Sequence, residues 1–279
     1  MTQIKITDSA GVTGVFTNPI TIDAYSPPKP VTAFGVTPDY NNGETGFTDH
    51  LALFPKSNSS RIYGSDCAQW NTPHTNALSA RGDRVWFSWK NYNLAPVIAN
   101  WNALTKESDF TFFHEANRPT GGPVLADYMA FMDQLMKARS VHHNSDLIKI
   151  GPCFSEFPAV NGNEGTKWQS FMRDDYDFIG WDFYHPQPNK LSPPADSLAL
   201  PISSGKTYGK IVRIGEWGIQ PGTGYTEAQA AGWVTGIGAL AVQNNLASMA
   251  YWCSQKVGNP NYHVDDRPLV LAAVKKLLG

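Results

Sequence analysis

FTFFHEANRPTGGPVLADYMAFMDQLMKARSVHHNSDLIKIGP, residues 110–152, carries one whole unit of the fold. FTFFHE (110–115) is short, apolar and aromatic, as a buried strand requires. PVLADYMAFMDQLMKAR (123–139) puts Leu125, Tyr128, Met132, Leu135 and Met136 on one helical face, with a proline near its start and basic residues at its end. LIKIGP (147–152) is a second buried strand. Two buried strands joined through a helix pair in parallel.

The same rhythm extends in both directions. VTAFGV (31–36), RIYGSD (61–66), RVWFSW (84–89), YDFIGW (176–181), KIVRIG (210–215) and LASMAY (246–251) complete a set of eight apolar runs. A capping-box pattern, Thr226-x-x-Gln229, opens a further helix over 226–244 with Val234, Ile237, Leu240 and Ala241 on one face. PLVLAAVKKLLG (268–279) reads as a short closing helix. Eight such units predict an α/β protein, a (β/α)8 TIM barrel over residues 31–279. A doubly wound sheet alternates too, but its glycine-rich phosphate turn is missing from VTAFGVTPDYNNG. Residues 1–30 stand apart. IKIT and TGVFTNPITIDAY alternate like short strands and SPPKP stiffens the exit, so this segment reads as a β-like extension or linker, a candidate attachment to a larger assembly.

Composition narrows the partners. Charged residues are 16% of the 279, well under the roughly 25% of an average soluble protein, while aromatics reach 12%. With a net charge of −2 the chain lacks the positive field of a nucleic-acid binder. It has no apolar run long enough for membrane insertion. The start, MTQIKITDSAGVTG, lacks the basic-then-apolar pattern of a signal peptide. The expected location is nevertheless extracellular or on a virion, reached by another route. Cys67, Cys153 and Cys253 form no C-x-x-C pair and read as buried thiols. No H-x-H, H-E-x-x-H or G-x-S-x-G occurs, so a metal site, a cofactor and a serine nucleophile are not expected.

A barrel builds its site at the C-terminal ends of its strands. Those ends supply Asp66, Trp89-Lys90, His114-Glu115-Ala116-Asn117, Ser155-Glu156, Trp181-Asp182-Phe183-Tyr184-His185, Gly215-Glu216-Trp217 and Trp252. Carboxylates among aromatic rings suit sugars: the acids do proton transfer and nucleophilic work while rings stack on the sugar faces. Glu115 and Glu216 stand out, since neither apolar strand has a local reason to finish in a carboxylate. They lie three βα units apart, on strands facing each other across the mouth. A retaining glycosidase needs two carboxyls about 5 Å apart, one ionised and one protonated. Glu156 is the competing partner for Glu115, ranked lower because strands four and five are adjacent. Trp70, Trp89 and Trp217 read either as cleft subsites or as core. Asp66 reads as a substrate contact or a supporting side chain, and Trp181 as core.

HEAN at strand four, GWDFY at strand six, GEWG at strand seven and YW at strand eight together resemble the clan A retaining glycoside hydrolases. The sequence is most similar to glycoside hydrolase family 26, the β-mannanase-like group, over about residues 31–279. The resemblance implies Glu115 as acid/base and Glu216 as nucleophile, with Tyr184 bonded to that nucleophile. It further implies sugar contacts from His114 and Asn117 and a floor from Trp252. The chain departs from the mannan-cleaving pattern at Arg118-Pro119, where those members continue with glycine and aromatics. The function expected is endo-acting cleavage of a neutral polysaccharide or oligosaccharide, with mannan, glucan and xylan as candidate substrates. The alternatives are a non-catalytic carbohydrate-binding barrel and a phage-associated cell-wall glycan hydrolase.

Overall fold

The computed structural model describes residues 4–7, 13–16, 32–37, 43–185, 189–253 and 262–279. The contacts divide the chain into two units, Met1–Pro30 and Val31–Gly279. In the first, β1 (Ile4–Thr7) and β2 (Thr13–Phe16) pair antiparallel, with Ile4 opposite Phe16 and Thr7 opposite Thr13. The rest of TGVFTNPITIDAY and the SPPKP stretch lie outside the described residues.

The second unit is the expected (β/α)8 barrel. Its strands are β3 (Ala33–Thr37), β4 (Ser59–Tyr63), β5 (Arg84–Trp89), β6 (Ser108–Phe112), β7 (Ile148–Ile150), β8 (Cys153–Ser155), β9 (Phe178–His185), β10 (Ile211–Ile219) and β11 (Ser248–Trp252). The helices are α1 (Gly43–Leu53), α2 (Pro73–Arg81), α3 (Leu94–Ala103), α4 (Leu125–Ser140), α5 (Glu156–Asn161), α6 (Pro194–Tyr208), α7 (Glu227–Gln243) and α8 (Pro268–Leu278). All barrel pairings are parallel, in the orders β3-β11-β10-β9-β8 and β4-β5-β6-β7. The fifth strand of the barrel is β7 plus β8, broken at Gly151-Pro152, where proline has no N–H for a ladder. Gly151 N still reaches Phe110 O (3.2 Å) on one side, and Gly180 N reaches Pro152 O (2.8 Å) on the other. At the opposite seam Asn58 N donates to Phe34 O (3.1 Å) and Ser60 Oγ to Val36 O (3.1 Å). Position 35 has to be glycine here, because a Cβ would lie 1.6 Å from Ser59 O.

Runs that look uniformly apolar in sequence divide into two faces. Val85, Phe87 and Trp89 of β5 turn outward and join the core beneath the helices, with Phe87 stacked on Phe110 at 5.2 Å. Trp86 faces the barrel interior, and its Nε1 donates to Thr111 Oγ1 (2.8 Å). A column of rings and cations fills that interior. Arg213 sits 5.2 Å over Phe178, Phe178 meets Trp86 edge-on at 5.2 Å, and Arg61 lies 4.8 Å over Trp86. Small residues on the facing strands make the room: a Cβ on Gly180 would come 2.7 Å from the Trp86 ring, and one on Gly215 would come 2.3 Å from Arg61 Nη1.

The helices follow their periodicity. α4 buries Tyr128, Phe131, Met132, Leu135 and Met136, and each such side chain contributes roughly 1.5–3 kcal/mol. α7 buries Trp233, Val234, Ile237 and Ala241, and its capping box forms as predicted, with Gln229 N on Thr226 Oγ1 (3.3 Å) and Thr226 N on Gln229 Oε1 (2.8 Å). Thr226→Ala is therefore expected to cost about 1 kcal/mol in chemical denaturation.

Candidate active site

The site grows from β4. Its alternate residues Arg61 and Tyr63 point inward, toward β9 and β10. Arg61 is fully buried, with Nε on Ser88 Oγ (2.9 Å), Nη1 on Asp182 Oδ1 (2.7 Å) and Nη1 3.5 Å from Glu216 Oε1. Burial works against its charge, but Asp182, Cys153, Tyr63 and Glu216 together hold the guanidinium above its ordinary range. Tyr63 Oη donates to Glu216 Oε1 (2.5 Å), and Tyr184 Oη donates to Oε2 of the same carboxyl. Both phenols are pushed up, first by burial and further by the Glu216 charge, so both remain protonated donors. A carboxyl that accepts at both oxygens beside a guanidinium is placed to be a carboxylate.

Glu216 does not finish its strand. It lies inside β10 at a register shift: Ile214 pairs with Trp181, and the next partners are Glu216 and Asp182. The bulge at Gly215 lets Glu216 face the mouth and sends Trp217 outward against Trp233 (6.2 Å) and Tyr251 (5.1 Å).

Glu115 arises differently. β6 stops at Phe112, and a tight turn follows in which Phe113 (φ 53°) and Glu115 (φ 56°) both take left-handed backbone. Each such residue costs roughly 1–3 kcal/mol and persists only where its surroundings hold it. Here Phe113 N donates to Trp89 O (2.7 Å) and Glu115 N to Cys153 O (2.6 Å). Asn117 clamps the turn: its Nδ2 donates to Ser155 O (2.9 Å) and Glu164 Oε1 (2.8 Å), and its Oδ1 accepts from Ser155 N (2.9 Å). Glu115 is 7% exposed. Burial and then the Glu216 charge raise its pKa, against Arg118 and Arg61. Arg118 Nε lies 2.8 Å from Glu115 Oε2.

One buried cation, Arg61, thus faces three carboxyls: Glu115, Asp182 and Glu216. Asp182 is raised by burial and by its two acidic neighbours, against Arg61. An excess of buried negative charge favours retention of a proton in the cluster, and Glu115 and Asp182 are the two of its carboxyls whose pKa is raised. His114 is kept neutral by burial and by Arg61, Lys90 and Arg118. Its ring meets Tyr63 at 5.4 Å, and Tyr63 meets the half-buried Trp252 at 5.4 Å. Beside Glu115 and Asp182 opens a cleft of about 390 Å³, lined by these two and by Arg118, Phe157, Tyr184 and Tyr262 among others. Tyr262 lies against Tyr184 at 4.5 Å.

Of the residues singled out in sequence, the structure gathers Glu115, Glu216, His114, Tyr184 and Trp252. It corrects three others. Asn117 is fully buried and holds the turn, leaving no group for a sugar. Trp89 and Trp217 are core, because strand alternation turns the first outward and the Gly215 bulge the second. Asp66 is exposed and accepts from Asn91 (3.2 Å). Trp70 and Trp181 are buried, the latter bonded to Ser204 Oγ (2.9 Å). Glu156, the competing acid, lies at the start of α5, its pKa raised to about 7 by burial. Arg61 and Tyr63 escaped the sequence reading. Their signal was an inward strand face carrying a cation and a phenol at i and i+2.

No protein-family model matches the sequence, and no curated protein matches it. Solved structures do. Thermotoga maritima Cel5A in complex with mannotriose aligns with a TM-score of 0.58 at 14% identity, over 88% of this chain and 97% of that one. An endo-β-1,4-glucanase from Xanthomonas axonopodis pv. citri gives 0.52 at 11%, over 89% and 100%. A glucosidase from Croceicoccus marinus gives 0.55 at 12%, over 90% and 67%. At such identities the likeness shows the fold.

Proposed function

We propose that this barrel is a retaining, clan A-like glycoside hydrolase, endo-acting on a polysaccharide with a neutral backbone of the glucan or mannan type. The observation that supports it most is the pair of unlike carboxyls. Glu216 is held by two phenolic hydroxyls beside a guanidinium, and Glu115 is desolvated beside it with a raised pKa. Two acids in such unlike surroundings divide the roles of acid and nucleophile between them. The structural likeness to a glucosidase, an endo-β-1,4-glucanase and a mannotriose-bound Cel5A supports the substrate class.

In the first step Glu216 attacks the anomeric carbon while Glu115 gives its proton to the departing oxygen, leaving a glycosyl ester on Glu216. In the second, Glu115 takes a proton from water, the water oxygen attacks the same carbon, and the ester breaks. Trp252 and His114 serve as the sugar-facing surface. The location, outside a cell or on a virion through residues 1–30, belongs to the same proposal.

Reducing-end release from mannan, glucan, xylan and arabinogalactan, with the anomeric configuration of the product read by NMR, tests the reading. The expected result is cleavage of one polymer with retention. Silence on all four with binding kept to one would replace it with the carbohydrate-binding barrel. Glu115→Gln gives a second check. Turnover of substrates with poor leaving groups is expected to fall by about 10²–10⁴, while aryl glycosides with acidic leaving groups lose little in the first step. The wild-type rate falls as pH rises through the Glu115 pKa, above the ordinary carboxylate range, and this limb disappears in the variant.

A further inference from the structure

Arg118 has a fixed backbone and a loose side chain. Its N–H donates to Glu115 O (3.0 Å), and its carbonyl is so closely packed that a Cβ on Gly165 would come 2.5 Å from it and one on Gly122 3.2 Å. The neighbouring Asn117 is fully buried and saturated with hydrogen bonds. The Arg118 side chain, by contrast, is 56% exposed, and its ion pair with Glu115 is its link to the site. The guanidinium is open to solvent away from Glu115, so a substrate anion can reach it and compete for it.

The pair also opposes the chemistry assigned to Glu115. A guanidinium at 2.8 Å favours the ionised carboxyl, whereas an acid must carry its proton when the leaving oxygen departs. The conflict ends if the substrate itself draws Arg118 away. The cleft is built for such an exchange: Arg118, Pro119 and Thr120 line one wall, with Phe157, Pro158 and Asn163 also lining it. A second exposed cation, Lys90, stands with its Nζ 5.5 Å from the Phe113 ring, and both cations act on the neutral His114. The acids that face this region are Glu115, Asp182 and Glu216 in the buried network, together with Glu164 and Glu156. Glu164 is taken by Asn117 and by Trp168 N (3.0 Å), and Glu156 is half-buried.

We propose that Arg118 is an anion-recognising side chain of the cleft that binds a carboxylate carried by the sugar on the leaving-group side, and that this binding frees Glu115 to hold its proton. The guanidinium suits the task because its planar fork meets a carboxylate through two parallel hydrogen bonds. As Arg118 transfers to the substrate carboxylate, Glu115 takes a proton from solvent and later passes it to the glycosidic oxygen. This rests on the glycosidase reading for the role of Glu115, while the anion site itself is independent of turnover. The substrate is then a neutral backbone bearing acidic substituents.

The test uses the full chain carrying Glu216→Gln, titrated by calorimetry at low salt with carboxymethyl and hydroxyethyl oligosaccharides of β-1,4-glucan and β-1,4-mannan. The two derivatives differ mainly in charge. The carboxymethyl form is expected to bind about tenfold or more tightly. Adding Arg118→Gln removes that preference, and Arg118→Lys restores part of it. Equal affinity for the two forms, a preference that survives Arg118→Gln, or no binding of either overturns the proposal. Kinetics with Glu216 intact separate recognition from mere support of the loop. Arg118→Gln is expected to raise kcat on the hydroxyethyl polymer and to raise KM on the carboxymethyl one, whereas a structural defect lowers turnover of both. Charge preference in binding without hydrolysis of any polymer would overturn the glycosidase reading and leave the anion site standing. Hydrolysis without charge preference would do the reverse.

Discussion

Replacing Glu216 with alanine is expected to lower kcat by about 10⁴-fold or more on the polymer the wild type cleaves, with the chain still folded and still binding. The size follows from the role: no other group takes the place of the nucleophile that forms the glycosyl ester. Folding survives because two effects oppose each other. The Tyr63 and Tyr184 hydroxyls lose their acceptor, at about 1–3 kcal/mol for each buried group left unpaired. Against this, Arg61 keeps Asp182 at 2.7 Å, and the three-carboxyl cluster sheds one negative charge. The vacated space beside Arg61 then invites a small anion. Azide with an activated aryl glycoside is expected to restore turnover and give the glycosyl azide of inverted configuration, the signature of a missing nucleophile. Undiminished hydrolysis in Glu216→Ala would move the role to Glu156, whose carboxyl is raised to about 7 by burial alone.

How the site came to be legible differs between its two acids. The eight apolar runs, the helical faces of α4 and α7 and the Thr226 cap are local signals, and the structure reproduces them. Glu115 and Glu216 were readable as carboxyls breaking apolar runs, yet their geometry was not. A left-handed turn at Phe113 and Glu115 leaves no glycine in the sequence to announce it. The Gly215 bulge shifts the inward-facing parity of β10 by one residue, which no strict period of two reveals. That slip misplaces Trp217, and plain alternation misplaces Trp89. The resemblance implies a sugar contact from Asn117, whereas its amide is consumed in fixing the strained turn. Arg61 was invisible because burying a cation makes sense only once Asp182 and Glu216, more than a hundred residues on, are known to face it.

That same cation sets the largest expected effect on stability. Arg61→Met keeps most of the apolar bulk over Trp86 but strands Asp182 and Glu216 in a buried network without their guanidinium. Removing one partner of a buried ion pair typically costs about 3–5 kcal/mol. In a domain of this size that lowers Tm by about 10 °C. Asp182 is already pushed toward its protonated form by burial, Glu216 and Glu115, and Arg61 is the main force against that push. Without it Asp182 holds its proton to higher pH, so the limb over which Tm falls with rising pH is expected to reach further upward in Arg61→Met than in the wild type. A loss of packing alone lowers Tm and leaves the pH profile where it was, which makes the limb the deciding measurement. Pairing Arg61→Met with Asp182→Asn supplies the complementary arm: removing the stranded charge is expected to return part of the lost stability, with a coupling of about 0.5–3 kcal/mol. The double variant has no carboxyl at position 182, so that limb is expected to vanish. Additive losses in the double variant would mean that Arg61 packs the barrel interior rather than balancing its charge.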